Sequence, residues 1–136
     1  MSFSVIRNGG VDYCAASNAM KLIFLVDDDD AVRNSTRVLL EATGYSVRDF
    51  ASADAFLGET EGREADCLIL DYHLSDGTGM DLLELLRSRG VLTPAIVVSA
   101  GGPNLAVRAT RAKVAAVLAK PLAADSLSQW LENLLR

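Results

Sequence analysis

Leu68-Ile69-Leu70-Asp71 is the stretch on which the reading of this chain turns. Three branched apolar residues run directly into a carboxylate. A continuous apolar run of this length suits a strand buried on both faces, as in a parallel sheet. Asp71 then stands at the strand's carboxyl end, where open α/β sheets hold their ligands. A polar loop with two glycines follows, Tyr72-His73-Leu74-Ser75-Asp76-Gly77-Thr78-Gly79.

Working outward, the alternation of strand and helix repeats five times. Lys21 to Val26 reads as a strand cut off by Asp27-Asp28-Asp29-Asp30. Val32, Ser35, Leu39 and Ala42, with Val38 beside them, recur at helical spacing and predict an amphipathic helix with those residues inward. Asp29 and Asp30 suit its positive amino end, and Gly44 ends it. Tyr45 to Phe50 predicts a more polar edge strand, and Ser52 a cap for a short helix through Phe56 and Leu57. A third strand ends at Asp71. Met80 to Arg89 predicts a helix with Leu82, Leu83 and Leu86 inward, closed by Gly90. Pro94 to Val98 is a fourth strand ending at Ser99. After the loop Gly101-Gly102-Pro103, Asn104 could cap a helix to about Ala112. Val114 to Leu118 is a fifth strand, ending at Lys120-Pro121. Leu127, Trp130, Leu131, Leu134 and Leu135 mark the apolar face of a last helix. Such a pattern implies an α/β, flavodoxin-like (βα)5 doubly wound parallel sheet with strand order 2-1-3-4-5.

Bulk properties narrow the function classes. The 136 residues suit one domain, and half are hydrophobic, enough for a proper core. A net charge of −5 argues against broad affinity for nucleic acid, which requires a concentrated basic surface. Basic residues are mostly scattered, with Arg108, Arg111 and Lys113 a small grouping. No apolar run approaches the roughly 18–20 residues that span a bilayer. Cys14 and Cys67 are far apart, and Cys67 falls in a buried strand, so a reduced thiol in a cytoplasmic protein is expected. Residues 1–19 have no sustained period and no secretory pattern. Ser17-Asn18-Ala19 before Met20 reads as the scar of an expression tag, with a natural unstructured extension as the alternative. The domain is taken as 20–136.

In a parallel sheet the strands' carboxyl ends share one edge. Asp27 and Asp28, Asp71, Ser99 and Lys120 therefore meet there. Singly, each has an ordinary structural reading; together they suggest phosphoryl transfer. Clustered carboxylates raise one another's pKa, and a divalent cation relieves that repulsion. All-oxygen ligands of this kind suit Mg²⁺, held by Asp27, Asp28, Asp71 and the backbone carbonyl of His73. Asp71 is placed as a nucleophile forming an acyl phosphate. Lys120 would pair with a carboxylate before reaction and a phosphoryl oxygen after it, and Ser99 would donate to another oxygen.

These residues, in this order, resemble the receiver domain of two-component response regulators. The resemblance rests on Leu25-Val26-Asp27-Asp28-Asp29, Leu70-Asp71-Tyr72-His73-Leu74, Val97-Val98-Ser99-Ala100 and Leu118-Ala119-Lys120-Pro121, and covers nearly all of 20–136. It implies that Asp71 is the phosphoacceptor, Asp27 and Asp28 the acidic pair for Mg²⁺, Ser99 the switch hydroxyl, and Lys120 the paired lysine, with a cis bond to Pro121. It also implies a sensor histidine kinase or histidine phosphotransfer protein as donor, with no direct nucleic-acid or membrane binding and with a homodimer left open. Four departures stand out, one being that the segment from Ser99 to Lys120 looks about one residue short, in Gly101-Gly102-Pro103. Leu74-Ser75 replaces a common Met-Pro. Val117 stands where an aromatic switch residue is common. Lys113 stands where a helix-ending Gly is common. Intact phosphorylation with an atypical output face is the expectation, in a switch rather than a turnover enzyme. The alternatives are a degenerate receiver acting as a phosphorylation-independent binding module and a small phosphatase with an aspartate nucleophile. His73, where such phosphatases carry a second aspartate, counts against the latter.

Overall fold

The computed structural model describes residues 21–100, 105–120 and 124–135. The expectations for residues 1–19, the 101–103 loop, the Asn104 cap and the cis bond at Pro121 lie outside these. In chain order the elements are β1 (Leu22–Val26), α1 (Asp30–Ala42), β2 (Ser46–Phe50), α2 (Ala53–Glu59), β3 (Cys67–Asp71), α3 (Gly79–Ser88), β4 (Ala95–Ser99), α4 (Leu105–Arg111), β5 (Ala116–Ala119) and α5 (Ala124–Leu134). The five strands are parallel in the order β2-β1-β3-β4-β5, as the alternation implied.

β3 lies between β1 and β4, and all five of its residues are buried. That explains its unbroken apolar run: both faces need cover. Phe24, Leu68, Leu70 and Val97 face one core, filled by Phe50, Phe56, Met80, Leu83 and Leu86. Ile23, Leu25, Ile69 and Val98 face the other, filled by Leu40, Leu127 and Leu131. Phe24, Phe50 and Phe56 meet edge to face with centroids 5.2–6.0 Å apart, the preferred aromatic geometry. Burial pushes the Cys67 thiol up to about 12, so it packs as an inert apolar group.

Several expectations require correction. The Val32, Ser35 and Leu39 stripe of α1 faces Leu25, Ile69 and Val98 of the sheet across a cavity rather than in close packing, and Ala42 lies outside it. Leu40 is the buried residue of the helix, Val32 is 45% exposed, and Ser35 and Ala42 are exposed. The turn toward Leu40 brings Arg33 and Arg37 against Asp49 of β2, at 3.5 and 3.2 Å. Long arginine stems can cover apolar surface while their tips pair. β5 begins two residues later than expected, at Ala116, and Trp130 of α5 is 39% exposed rather than inward. The loop after Asp71 contains a two-residue antiparallel ribbon, His73–Leu74 with Gly77–Thr78.

Two arginines bind α3 to α4. Arg87 donates to the carbonyls of Val91, Thr93 and Ala112 at 2.7–2.9 Å. Arg108 reaches back to Asp81 and Glu84 at 2.8–3.0 Å. The turn after α4 has a cost: Lys113 adopts φ +57° while Val114 N–H returns to Ala109 O at 2.9 Å. This left-handed conformation favours glycine. Lys113→Gly is expected to stabilise the protein by about 1 kcal/mol in chemical denaturation, since the left-handed region costs other residues about that much. Unchanged or reduced stability would contradict the strained turn.

Candidate functional site

The parallel strands bring their carboxyl ends to one edge, and the predicted residues converge there. Asp27 follows β1, Asp71 closes β3, Ser99 closes β4 and Lys120 follows β5. Pairing of Asp71 with Val98 and of Ser99 with Ala119 fixes the heights of the last three strands. Carboxylate oxygens of Asp27, Asp28 and Asp71 lie within 4.8 Å of one another. Asp27 and Asp71 are buried and Asp28 is exposed, so the group has a wet side.

Lys120 Nζ stands 2.8 Å from Asp71 Oδ1. Asp71 is only 5% exposed, so this ion pair supplies the compensation that a buried carboxylate needs. Oδ1 is shut off from water, so the ammonium of Lys120 is its close charged partner. Partial burial of Lys120 disfavours its charge. Contact with Asp71, with Asp27 and Asp28 beside it, outweighs this and raises its pKa above the ordinary value.

Burial pushes the Asp27 carboxyl up to about 6, and the charge of Asp71 adds to the effect. The N–H of Asp29, donated to Asp27 Oδ1 at 2.9 Å, and the charge of Lys120 pull the other way. Three close carboxylates with one lysine make a donor set short of positive charge. A hard divalent cation with oxygen ligands fits it. A cavity of about 430 Å³ adjoins the group. Its lining joins Asp27, Asp71 and Lys120 to Leu25, Ile69 and Val98 of the sheet and to Val32 and Leu39 of α1. Val32 faces this space from the sheet side of α1.

Of the other predicted residues, Ser99 is buried at 2% exposure. His73 is exposed, and its ring meets Tyr72 edge to face at 5.0 Å. Val117 pairs with Val97 in the sheet and is 42% exposed, so the position where an aromatic ring is common lies at the surface.

Two residues that position the site were not singled out from sequence. Arg33 donates from Nη1 to the carbonyl of Asp27 at 2.8 Å, fixing the turn that carries the acidic pair. Gly79 begins α3 directly against the end of β3: its N–H donates to Tyr72 O at 2.8 Å. A Cβ there would overlap the carbonyl oxygen of Asp71 and stand 3.1 Å from its carbonyl carbon. A glycine beside the Thr78 cap was the available signal for Gly79. Arg33 had none, because its acceptor is a backbone atom six residues away.

Comparison with known proteins agrees with this geometry. The family described as Response regulator receiver domain matches residues 23–132. Response regulator protein TodT of Pseudomonas putida is 32% identical over 112 residues, 82% of this chain and 49% of that protein. Transcriptional regulatory protein FixJ of Azorhizobium caulinodans is 37% identical over 100 residues, 73% of this chain and 47% of that protein. The chain spans about half the length of these curated relatives. The crystal structure of a response regulator receiver protein from Pseudoalteromonas atlantica has a TM-score of 0.77 at 32% identity, covering 84% of this chain and 96% of that one.

Two outcomes follow from the geometry. A carboxyl held above its unfolded value binds its proton more tightly in the native state. The stability it contributes therefore falls as pH rises from 3.8 toward 6. In chelator, Asp27→Asn is expected to raise the thermal midpoint near about pH 7, with the gain fading toward about pH 4. A gain independent of pH would contradict the assignment. Gly79→Ala is expected to cost about 1–3 kcal/mol in denaturant melts, as overpacking does. A neutral effect would show that α3 does not rest on the Asp71 carbonyl.

Proposed function

Because the chain belongs to the response regulator receiver family, we propose that it accepts a phosphoryl group on Asp71 and switches protein contacts in a two-component phosphorelay. The observation that carries this reading is the ion pair of Lys120 with a buried Asp71, set beside Asp27 and Asp28. The donor is a phosphohistidine on a sensor kinase or phosphotransfer protein.

A carboxylate oxygen of Asp71 attacks phosphorus. The bond from phosphorus to the donor's imidazole nitrogen breaks, and the electron pair leaves with the imidazole. The product is an acyl phosphate on Asp71. Asp27, Asp28 and Asp71, with the carbonyl of His73, would hold Mg²⁺, which supplies positive charge against the phosphoryl oxygens. Lys120 is already placed to exchange its carboxylate partner for a phosphoryl oxygen. Ser99, at the end of the adjoining strand, supplies a hydroxyl to another. The wet side at Asp28 and the adjoining cavity give the donor a way in.

The new contacts of Lys120 and Ser99 bias the chain between two states. A valine at 117 gives no ring to follow the Ser99 hydroxyl inward, so the output departs from the common form. The chain acts as a modified switch rather than as a turnover enzyme, and in the cytoplasm, where its donor resides. The complete acidic pair, acceptor, hydroxyl and lysine favour this over a phosphorylation-independent binding module.

Incubation with acetyl phosphate and MgCl₂ is expected to add one phosphoryl group by intact mass. The adduct should be absent in Asp71→Asn and strongly reduced in chelator. No adduct on the wild type, or an undiminished adduct on Asp71→Asn, would overturn the reading.

A further inference from the structure

The loop from β3 to α3 buries Leu74 in the core, and one carboxylate gives it a polar link to a second part of the fold. Asp76 Oδ1 accepts the N–H of Ala53 at 3.2 Å, and Oδ2 accepts that of Asp54 at 2.9 Å. These are the first two residues of α2. The helix already has its own cap, since Ser52 Oγ accepts the N–H of Ala55 at 3.0 Å. Asp76 thus takes two further donors that a helix start leaves unpaired, and its charge suits the positive helix end.

The ordinary reading is a helix cap delivered from another loop. What the clamp does for its own loop goes further. Residues 73–78 form the ribbon beside Asp71, and Gly79 N–H closes its base on Tyr72 O. Among the described residues, the other polar contacts of 73–78 stay within the loop, with Tyr72, or in the first turn of α3. Ser75 gives the backbone none of the stiffness of a proline, and Gly77 at φ +140° adds freedom. Asp76 is therefore the described polar link that ties this loop to the body of the fold.

We propose that Asp76 is a positioning residue of the Asp71 site. By clamping the loop to α2 it fixes the backbone two residues beyond Asp71, and so sets the affinity of the acidic group for Mg²⁺. This rests on the receiver reading above. Groups that orient a ligand from behind typically change metal affinity by about 10–100-fold when removed.

Mg²⁺ alone is titrated into the whole chain and followed by the amide shifts of His73 and Gly77, with thermal midpoints measured in parallel. Asp76→Ala is expected to weaken Mg²⁺ binding about 10-fold or more. Asp76→Asn, which keeps one acceptor oxygen, should recover part of that loss. Ser52→Ala removes the other cap of the same helix; it should lower the midpoint yet leave Mg²⁺ affinity unchanged. If Asp76→Ala binds Mg²⁺ as the wild type does, or Ser52→Ala weakens binding equally, Asp76 is a helix cap and the inference fails. A wild type that binds no Mg²⁺ overturns the receiver reading and this inference together. Wild-type binding with an unaffected Asp76→Ala overturns the inference alone.

Discussion

The ion pair between Lys120 and Asp71 is the contact on which the site depends. A carboxylate this deeply buried is tolerated only with compensation close at hand. The compensation comes from another strand, so it exists only when β3, β4 and β5 are correctly paired. Asp27 and Asp28 add negative charge faster than one ammonium can offset it. Burial raises the Asp27 pKa, the charge of Asp71 adds to it, and the imbalance gives the site its appetite for a cation. Folding therefore assembles an edge that is short of positive charge, with Asp71 paired to one ammonium.

The surrounding fold supplies the stability that this edge spends. β1, β3 and β4 are covered on both faces by two separate apolar cores. Gly79 lets α3 approach the Asp71 carbonyl, while Arg33 ties α1 to the Asp27 carbonyl. Arg87 holds the turn after α4, and Arg108 of α4 pairs with Asp81 of α3. The surface valine at position 117 lies outside that linkage.

Much of this was legible because parallel sheets force sequence and chemistry into register. The apolar runs at 22–26, 67–70 and 95–98 had no other reading, and each ends at a polar residue of the site. The failures have physical causes. On α1, Val32 and Leu39 face the sheet across a cavity instead of packing against it. Arg33 and Arg37 face β2 because Asp49 offers them a charge. The stretch from Val114 to Ala119 has no polar punctuation, so its strand boundary could not be placed. The Asp76 clamp involves backbone atoms of a distant segment, which leaves no mark in residue spacing.

The most direct test of the central claim is to locate the acceptor itself. After treatment with acetyl phosphate and Mg²⁺, borohydride reduces an aspartyl phosphate to homoserine, which peptide sequencing by mass spectrometry can place. Homoserine in place of Asp71, and at no other aspartate, is the predicted result. Homoserine at Asp27 or Asp28, or at none of the site's carboxylates, would contradict the account.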